Sequence, residues 1–241
     1  MDTTHLLLSE FVGTAVLMAF GSGTNASILL KGTIVGAFKT NWLNIIFGWA
    51  FAVTFGVYVA VALGGPGHLN PAVTISLAAG GLFPWNQVLG VCVAQVAGAF
   101  VGSAITALHY YPHFKITGPD EGNVVGIFAT GPASDNRALN LISEIIATFM
   151  FMLAILCLGK MSEGFAPFIV GILVASIGMS FGSTTGYALN PARDFGPRLA
   201  YTILPIPNKG TANWGYAWVP IVGPIIGAVA AVAFSLLVIP K

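Results

Sequence analysis

The sequence predicts an all-α membrane protein in which six transmembrane helices and two re-entrant half-helices form an inverted repeat. Only 7% of the residues are charged and 56% are hydrophobic, whereas a soluble domain carries about 25% charged residues. Four long stretches contain no Asp, Glu, Lys or Arg, and the tripeptide Asn-Pro-Ala occurs twice. These three observations carry the prediction.

The charge and cysteine content excludes several classes of protein. A net charge of +1 offers no basic surface for nucleic acid. Cys92 and Cys157 lie in apolar stretches, so we interpret them as buried small hydrophobes and not as a disulfide or metal ligands. No paired aspartates, metal-ligand cluster or Ser/His arrangement is apparent, so we expect neither an enzyme nor a metal or cofactor site.

The transmembrane segments follow from the spacing of charged residues. A spanning helix needs about 20 mostly apolar residues. The uncharged stretch 40–114 is too long for one span, and it divides at the breaker sequence GGPGHLNPAVT over 64–74. We predict helices near 6–29, 41–63, 86–110, 138–160, 166–185 and 215–239. The segments 70–80 and 190–200 are too short to cross, and the polar connection 112–136 forms the midpoint.

Three landmarks recur in the same order in the two halves of the chain. They are a Ser-Glu pair, an Asn-Pro-Ala motif and a pair of glycines four residues apart: Ser9-Glu10 and Ser143-Glu144, 70–72 and 190–192, Gly98/Gly102 and Gly223/Gly227. The sequence thus predicts a single membrane domain over 1–241, with repeats at approximately 1–118 and 138–241. Since each half contains three spans, the second half enters the membrane from the opposite face.

The doubled motif also predicts a pore. Asn favours the position before a helix and Pro favours its first turn, so each motif reads as a helix start: Asn70, Pro71 and Ala72 in the first, Asn190, Pro191 and Ala192 in the second. Half-helices that enter from opposite faces bring their N-termini together mid-membrane. Irregular backbone at that depth is tolerated where it is buried in protein or lines a watery cavity.

The electrostatics of such a pore favour neutral solutes. Two helix N-termini concentrate positive potential at the centre, which repels cations. The amides of Asn70 and Asn190 can donate hydrogen bonds to a passing oxygen, and the first half-helix has no charged group to stabilise an ion. A neutral hydroxylic solute suits this arrangement.

The motifs HLNPAVT over 68–74 and ALNPARDFGPR over 188–198 resemble the aquaporin, or major intrinsic protein, family. Asp194 and Arg198 resemble its glycerol-conducting branch, the aquaglyceroporins, as do Pro220-Ile221 and Tyr110/Tyr111. The resemblance implies the aquaporin-like fold, one pore per protomer and a homotetramer in the lipid bilayer of the plasma membrane with cytoplasmic termini. It implies glycerol, similar small neutral solutes and water as the transported molecules.

The same resemblance assigns a selectivity filter to four residues: Trp49, Gly178, Tyr187 and Arg193. Water-specific members have His where Gly178 stands, so we expect the missing side chain to leave room for a carbon backbone. Tyr187 replaces the Phe of the best-known bacterial type, and its hydroxyl is expected either to narrow the slot or to bond the solute.

The remaining site residues are assigned by backbone or supporting roles. The carbonyls of Gly67, His68, Gly186 and Tyr187 are expected to accept hydroxyl protons along the pore. Arg193 offers several fixed donors to adjacent hydroxyls. Glu10 and Glu144 are expected to support the half-helices by accepting hydrogen bonds from the loop backbones. Asp194 is interpreted as a further structural support or as a solute contact.

Two alternatives within transport stay open at this stage. An ion-coupled secondary transporter also uses broken helices in inverted repeats, but it needs an ion-coordinating carboxylate near the midplane, for which Asp194 is the nearest candidate. A channel of the same fold could be tuned to lactic acid, urea or dihydroxyacetone. The count of basic residues places the termini outside the cell, against the resemblance, and we give the doubled motif more weight.

Overall fold

The computed structural model describes residues 2–38, 40–118, 121, 124–159, 161–162 and 164–239. These residues form helices and loops without any strand. Six helices are long and apolar enough to cross a membrane: α1 (Thr3–Leu29), α2 (Trp42–Ala62), α4 (Trp85–His109), α7 (Arg137–Cys157), α8 (Ala166–Thr185) and α10 (Val219–Val238). The prediction of an all-α protein with six spans is confirmed.

The ends of the six helices lie close to the predicted ends. The largest difference is in α10, which begins at Val219 and not at 215, because Pro220 occupies its first turn and favours a helix start there. The predicted end of the fourth helix at 160 lies outside the described residues, as do both ends of the predicted domain, 1 and 241. The repeat boundaries near 118 and 138 stay a prediction.

Four shorter α-helices and one 3₁₀ helix, Val35–Phe38, complete the fold of the described residues. The half-helices are α3 (Pro71–Ala79) and α9 (Pro191–Ile203), the second of which runs three residues beyond its predicted end. The connection 112–136, expected as polar loop, contains α5 (Tyr111–Ile116) and α6 (Val125–Phe128). Its two helices pack against the bundle because Phe114, Ile127 and Phe128 are buried in a cluster with Tyr201 of α9.

The long helices pack in the same way in the two halves. Helix α1 packs against α4 as α7 packs against α10, and each pair meets at the predicted glycines. A methyl group on Gly98 would overlap the carbonyl of Phe11, and one on Gly227 would overlap the carbonyl of Ile145. Each third long helix then supports the half-helix of the other half, α4 under α9 and α10 under α3.

The outer surface is apolar where a soluble protein would be charged. Phe47, Phe51 and Phe55 follow one another at four-residue spacing on the exposed face of α2. Cys157 is exposed and Cys92 is only partly buried, so the expectation of two buried cysteines is wrong. The reason is general, because in a membrane protein an apolar sequence context does not distinguish the core from the lipid-facing surface.

The close approach of α1 and α4 generates a stability prediction. We expect Gly98→Ala to lower the free energy of unfolding by about 1–3 kcal/mol, since the methyl group meets backbone that has no room to move. The matched control is Gly23→Ala on α1, where an added methyl group meets nothing within 4 Å. Thermal unfolding of the purified protein in detergent measures both. Equal stability of the two variants would contradict this account of the helix contact.

Candidate functional site

The two half-helices begin at the Asn-Pro-Ala motifs. The side chain of Asn70 accepts a hydrogen bond from the backbone N–H of Ala72, with Pro71 in the first turn. The side chain of Asn190 accepts from the N–H groups of Ala192 and Arg193 in the same manner. Each asparagine thus satisfies helix donors that would otherwise lack a partner.

The N-termini of the half-helices are joined by crossed hydrogen bonds. The Asn70 amide donates to the carbonyl of Leu189 at 2.9 Å, and the Asn190 amide donates to the carbonyl of Leu69 at 2.7 Å. Because each amide has two N–H donors, one donor of each asparagine remains for another acceptor.

Glu10 and Glu144 are completely buried beneath the two loops. The carboxylate of Glu10 accepts from the N–H groups of His68 and Leu69, and from the side-chain amide of Gln95. The two backbone contacts are those that the family resemblance implies. Leu69 has φ of 51°, in the left-handed region that a branched residue rarely adopts, so the carboxylate holds a strained backbone in place.

The second loop repeats this arrangement with different auxiliary groups. The carboxylate of Glu144 accepts from the N–H groups of Ala188 and Leu189 and from the hydroxyl of Thr185. Leu189 has φ of 57°, close to that of Leu69 in the first loop. Both half-helices therefore start from the same backbone geometry, fixed by one buried glutamate each.

Two cavities lie on opposite sides of one cluster of side chains. The terminal-side cavity, of about 510 Å³, extends from the end of α2 and the start of α8 to both motif asparagines. The distal cavity, of about 480 Å³, lies among the end of α1, the start of α2 and the residues 129–133. Trp49, Tyr187 and Arg193 line both cavities. These three side chains therefore form the boundary between them.

Arg193 stacks on Trp49 at this boundary. Its guanidinium carbon lies 3.8 Å from the centroid of the indole ring, in a cation–π contact. Its Nη1 donates to the carbonyl of Phe128 at 3.0 Å, and the indole N–H of Trp49 donates to the side chain of Asn25 at 3.1 Å. Among the described residues that line the two cavities, Arg193 alone carries a fixed charge.

Gly178 lies against Tyr187 and is not part of either cavity wall. A methyl group on Gly178 would stand 3.0 Å from Cζ and 3.2 Å from Oη of Tyr187, and one on Gly182 would overlap the same ring. The space left by the missing side chain at Gly178 is thus occupied by the tyrosine ring, and not left open opposite Trp49. The hydroxyl of Tyr187 is buried there without a hydrogen-bond partner among the described residues.

The four backbone carbonyls assigned from the sequence flank the boundary on its two sides. Gly67 and His68 line the terminal-side cavity, and Gly186 lines the distal cavity together with Tyr187. None of these four carbonyl oxygens accepts a hydrogen bond from the part of the chain that the structure describes. All four are therefore available to a solute that donates hydrogen bonds.

Asp194 is not among the residues that line either cavity. Its carboxylate forms an ion pair of 2.7 Å with Arg198, and both side chains are almost completely buried. It also accepts from the backbone N–H and the hydroxyl of Thr130. The ion pair lies within α9, and the two contacts from Thr130 join α9 to the segment that follows α6. The carboxylate is thus occupied by protein donors.

Several residues of the site were missed by sequence reasoning. Asn25 and Gln95 are polar residues within apolar helices. Because polar residues inside membrane helices often mark functional positions, this context could have identified both from the sequence. Phe128 contributes only its backbone carbonyl to Arg193. Because every residue type has such a carbonyl, the sequence gives no signal for this contact. Thr130 binds Asp194 from within the connection that the sequence presented as a polar loop.

Six membrane-length helices around two cavities in series define a multi-pass membrane protein of the channel class. The family model described as MIP, major intrinsic protein, matches residues 1–234, and the chain belongs to this family. The family resemblance deduced from the two motifs is thereby confirmed. Since the members of this family are channels, the protein is a transporter and not an enzyme.

The relatives are similar over nearly the whole chain. Glycerol uptake facilitator protein 2 of Lactiplantibacillus plantarum is 51% identical over 97% of this chain and 99% of its own length. The glycerol uptake facilitator protein of Bacillus subtilis is 47% identical over 90% of this chain and 79% of its own. The X-ray structure of the aquaglyceroporin from Plasmodium falciparum superposes with a TM-score of 0.87 at 31% identity, covering 99% of this chain and 97% of that one.

The buried ion pair generates a second prediction. We expect Asp194→Asn to lower the free energy of unfolding by about 3–5 kcal/mol, because it leaves the Arg198 guanidinium buried without its anion. Removing both charges with Asp194→Asn and Arg198→Met should recover part of that loss. Thermal unfolding in detergent measures the three proteins. An Asp194→Asn variant of unchanged stability that has lost solute flux would instead indicate that Asp194 acts on the solute.

Proposed function

We propose that the protein is a passive channel for glycerol and other small uncharged solutes, water included, and that it excludes ions and protons. The observation that carries the proposal is the pair of cavities separated by Trp49, Tyr187 and Arg193. A solute that passes from one cavity to the other has to pass these three side chains. The names of the relatives support glycerol as the solute.

The chemistry of this boundary suits a polyol. The rings of Trp49 and Tyr187 provide apolar surface for the C–H side of the solute. Arg193 donates one N–H to Phe128 and keeps further donors of its five for solute hydroxyls. The unpaired carbonyls of Gly67, His68 and Gly186 accept hydroxyl protons on either side. Glycerol, which is both apolar and hydrogen-bonding, exchanges its hydration for these contacts.

The same groups oppose the passage of cations. Arg193 holds a positive charge at the boundary, and the N-termini of α3 and α9 add about half a charge each near the crossed asparagines. No carboxylate lines either cavity among the described residues. A cation, hydronium included, would therefore lose its hydration without gaining a counter-charge.

The supporting residues act behind the pore in this proposal. Glu10 and Glu144 fix the two loops, and their buried carboxylates are occupied by protein donors. Asp194 positions α9 through Arg198 and Thr130. An ion-coupled secondary transporter would need one of these carboxylates to bind the coupling ion, and their contacts argue against that role.

Assembly and location complete the proposal. We propose a homotetramer in the plasma membrane with cytoplasmic termini, one pore in each protomer. The exposed phenylalanine row of α2, Phe47, Phe51 and Phe55, supplies apolar surface for lipid or for a neighbouring copy. Crosslinking in native membranes tests the number of subunits, and accessibility of a terminal tag in intact and opened cells tests the orientation.

Solute flux in proteoliposomes tests the function directly. We expect downhill glycerol flux that is independent of any ion gradient and has a low activation energy, because the path is a pore and not an alternating binding site. Light scattering after an osmotic step measures it, with urea, dihydroxyacetone, lactic acid and water in the same series. Accumulation of glycerol against its gradient, driven by protons or sodium, would refute the channel.

The contact between Gly178 and Tyr187 generates a further prediction. In Gly178→His the added side chain meets the Tyr187 ring first and displaces it toward the solute path. We expect glycerol flux to fall by a factor of about ten or more while water still passes, since one displaced ring costs on the order of 1–3 kcal/mol. Both fluxes are measured per folded protein. Equal losses of the two, or none, would show that Gly178 serves helix packing alone.

A further inference from the structure

We propose that Asn25 is a positioning residue of the selectivity filter, which holds the Trp49 ring against the Arg193 guanidinium. This inference rests on the proposed function of that filter. The indole N–H of Trp49 donates to Oδ1 of Asn25 at 3.1 Å, and Nδ2 of Asn25 donates to the carbonyl of Gly126 at 2.9 Å. Asn25 is only 6% exposed and lies within the apolar helix α1. It therefore links a filter side chain to a backbone segment 101 residues away.

The other member of the stacked pair is attached to the same segment. Nη1 of Arg193 donates to the carbonyl of Phe128, two residues beyond Gly126. Trp49, through Asn25, and Arg193, directly, are thus both anchored on α6 while their side chains stack at 3.8 Å. The relative position of the indole and the guanidinium is set by two hydrogen-bonded arms that start from one short helix.

Thr130, which follows α6 in the chain, holds this segment to the half-helix α9. Thr130 donates its backbone N–H and its hydroxyl to the carboxylate of Asp194, and its carbonyl accepts from Arg198. The anchor for both arms is thereby tied to α9, which also carries Arg193. A loop that moved independently of α9 could not keep the stack in register.

Asn25 also determines which face Trp49 presents to a solute. Because the indole N–H is bound by Asn25, Trp49 adds no free donor to the path and acts as an apolar wall. Apart from the Tyr187 hydroxyl, the side-chain donors of the three boundary residues then belong to Arg193, whose guanidinium lies against the Trp49 ring. Without Asn25 the ring would be free to rotate and bring its N–H to water in the cavities, which would add a second donor beside the Arg193 guanidinium and disturb the contact between the two.

A double-mutant cycle with Trp49→Phe tests the inference. Trp49→Phe keeps an aromatic wall but has no N–H for Asn25 to bind. We expect Asn25→Leu to lower the ratio of glycerol flux to water flux about fivefold in the otherwise unsubstituted protein, the change that corresponds to one neutral hydrogen bond. In the Trp49→Phe background the same substitution should change the ratio by less than about twofold, because the bond is already absent.

A matched control separates this role from a general loss of packing. Asn140 on α7 is 3% exposed, and its side chain bonds only to Ser134 among the described residues. Asn140→Leu removes a similar buried amide and should leave the flux ratio unchanged. All fluxes are normalised to folded protein measured by size-exclusion chromatography. If Asn25→Leu does not fold, Asn25→Ser takes its place with the same expectation, since its hydroxyl is too short to join Trp49 to Gly126.

The outcomes distinguish the inference from the proposed function. A fivefold loss in both backgrounds would show that Asn25, which lines the distal cavity, contacts the solute directly. An unchanged ratio in a folded Asn25 variant would show that the bond to Trp49 is dispensable. Either result overturns the positioning role while leaving the glycerol channel intact. An unsubstituted protein that passes no glycerol would overturn the proposed function and this inference together.

Discussion

Everything at the centre of this molecule depends on satisfying backbone polar groups where no bulk water is available. The two half-helices expose N-terminal donors and irregular loops at mid-membrane depth, and each unpaired group there would cost several kcal/mol. Asn70 and Asn190 cap the helices and bind each other's loops, while Glu10 and Glu144 each accept two loop N–H groups. The carbonyls of Gly67, His68, Gly186 and Tyr187, residues that line the cavities, accept no hydrogen bond from the described residues.

This division of polar groups explains how one framework can be rigid and still exchange solutes. The loop donors are held by buried carboxylates, so the loops keep their left-handed leucines without help from a solute. The free acceptors are then presented in fixed positions, which spares the pore the cost of reorganising as each molecule passes. The buried carboxylates that hold the loops rigid therefore also leave the loop carbonyls free to accept hydrogen bonds from a solute.

Much of the fold could be predicted because the spans of a membrane protein appear in its sequence as long stretches without charged residues. Charge spacing located the six spans, and the capping preferences of Asn and Pro located both half-helices to within a residue at their starts. The connection 112–136 was misjudged, because its burial depends on α9 and on Tyr201, which are far away in sequence. The periodicity of side chains along one segment does not reveal packing partners that are distant in the sequence.

The candidate site was predictable in its residue types but not in its contacts. The motifs indicated Trp49, Tyr187 and Arg193, and the structure brings these three together at the boundary of the cavities. That the Tyr187 ring fills the space beside Gly178, and that Asn25 binds Trp49, follow from packing angles between α1, α2 and α8. Two sequences with the same motif could differ in both details.

The mutual support of the halves has a consequence for biosynthesis. Helix α3 is made early in translation, but it packs against α10, which emerges from the ribosome much later. In the loop before α3, the carbonyl of Leu69 gains its hydrogen bond only when the Asn190 amide is in place. The first half-helix therefore cannot reach its final environment until α10 has been made. The barrier to cations between the two half-helices is therefore completed late in biosynthesis. A truncated chain would place an incomplete polar loop in the membrane and would not form half of a pore.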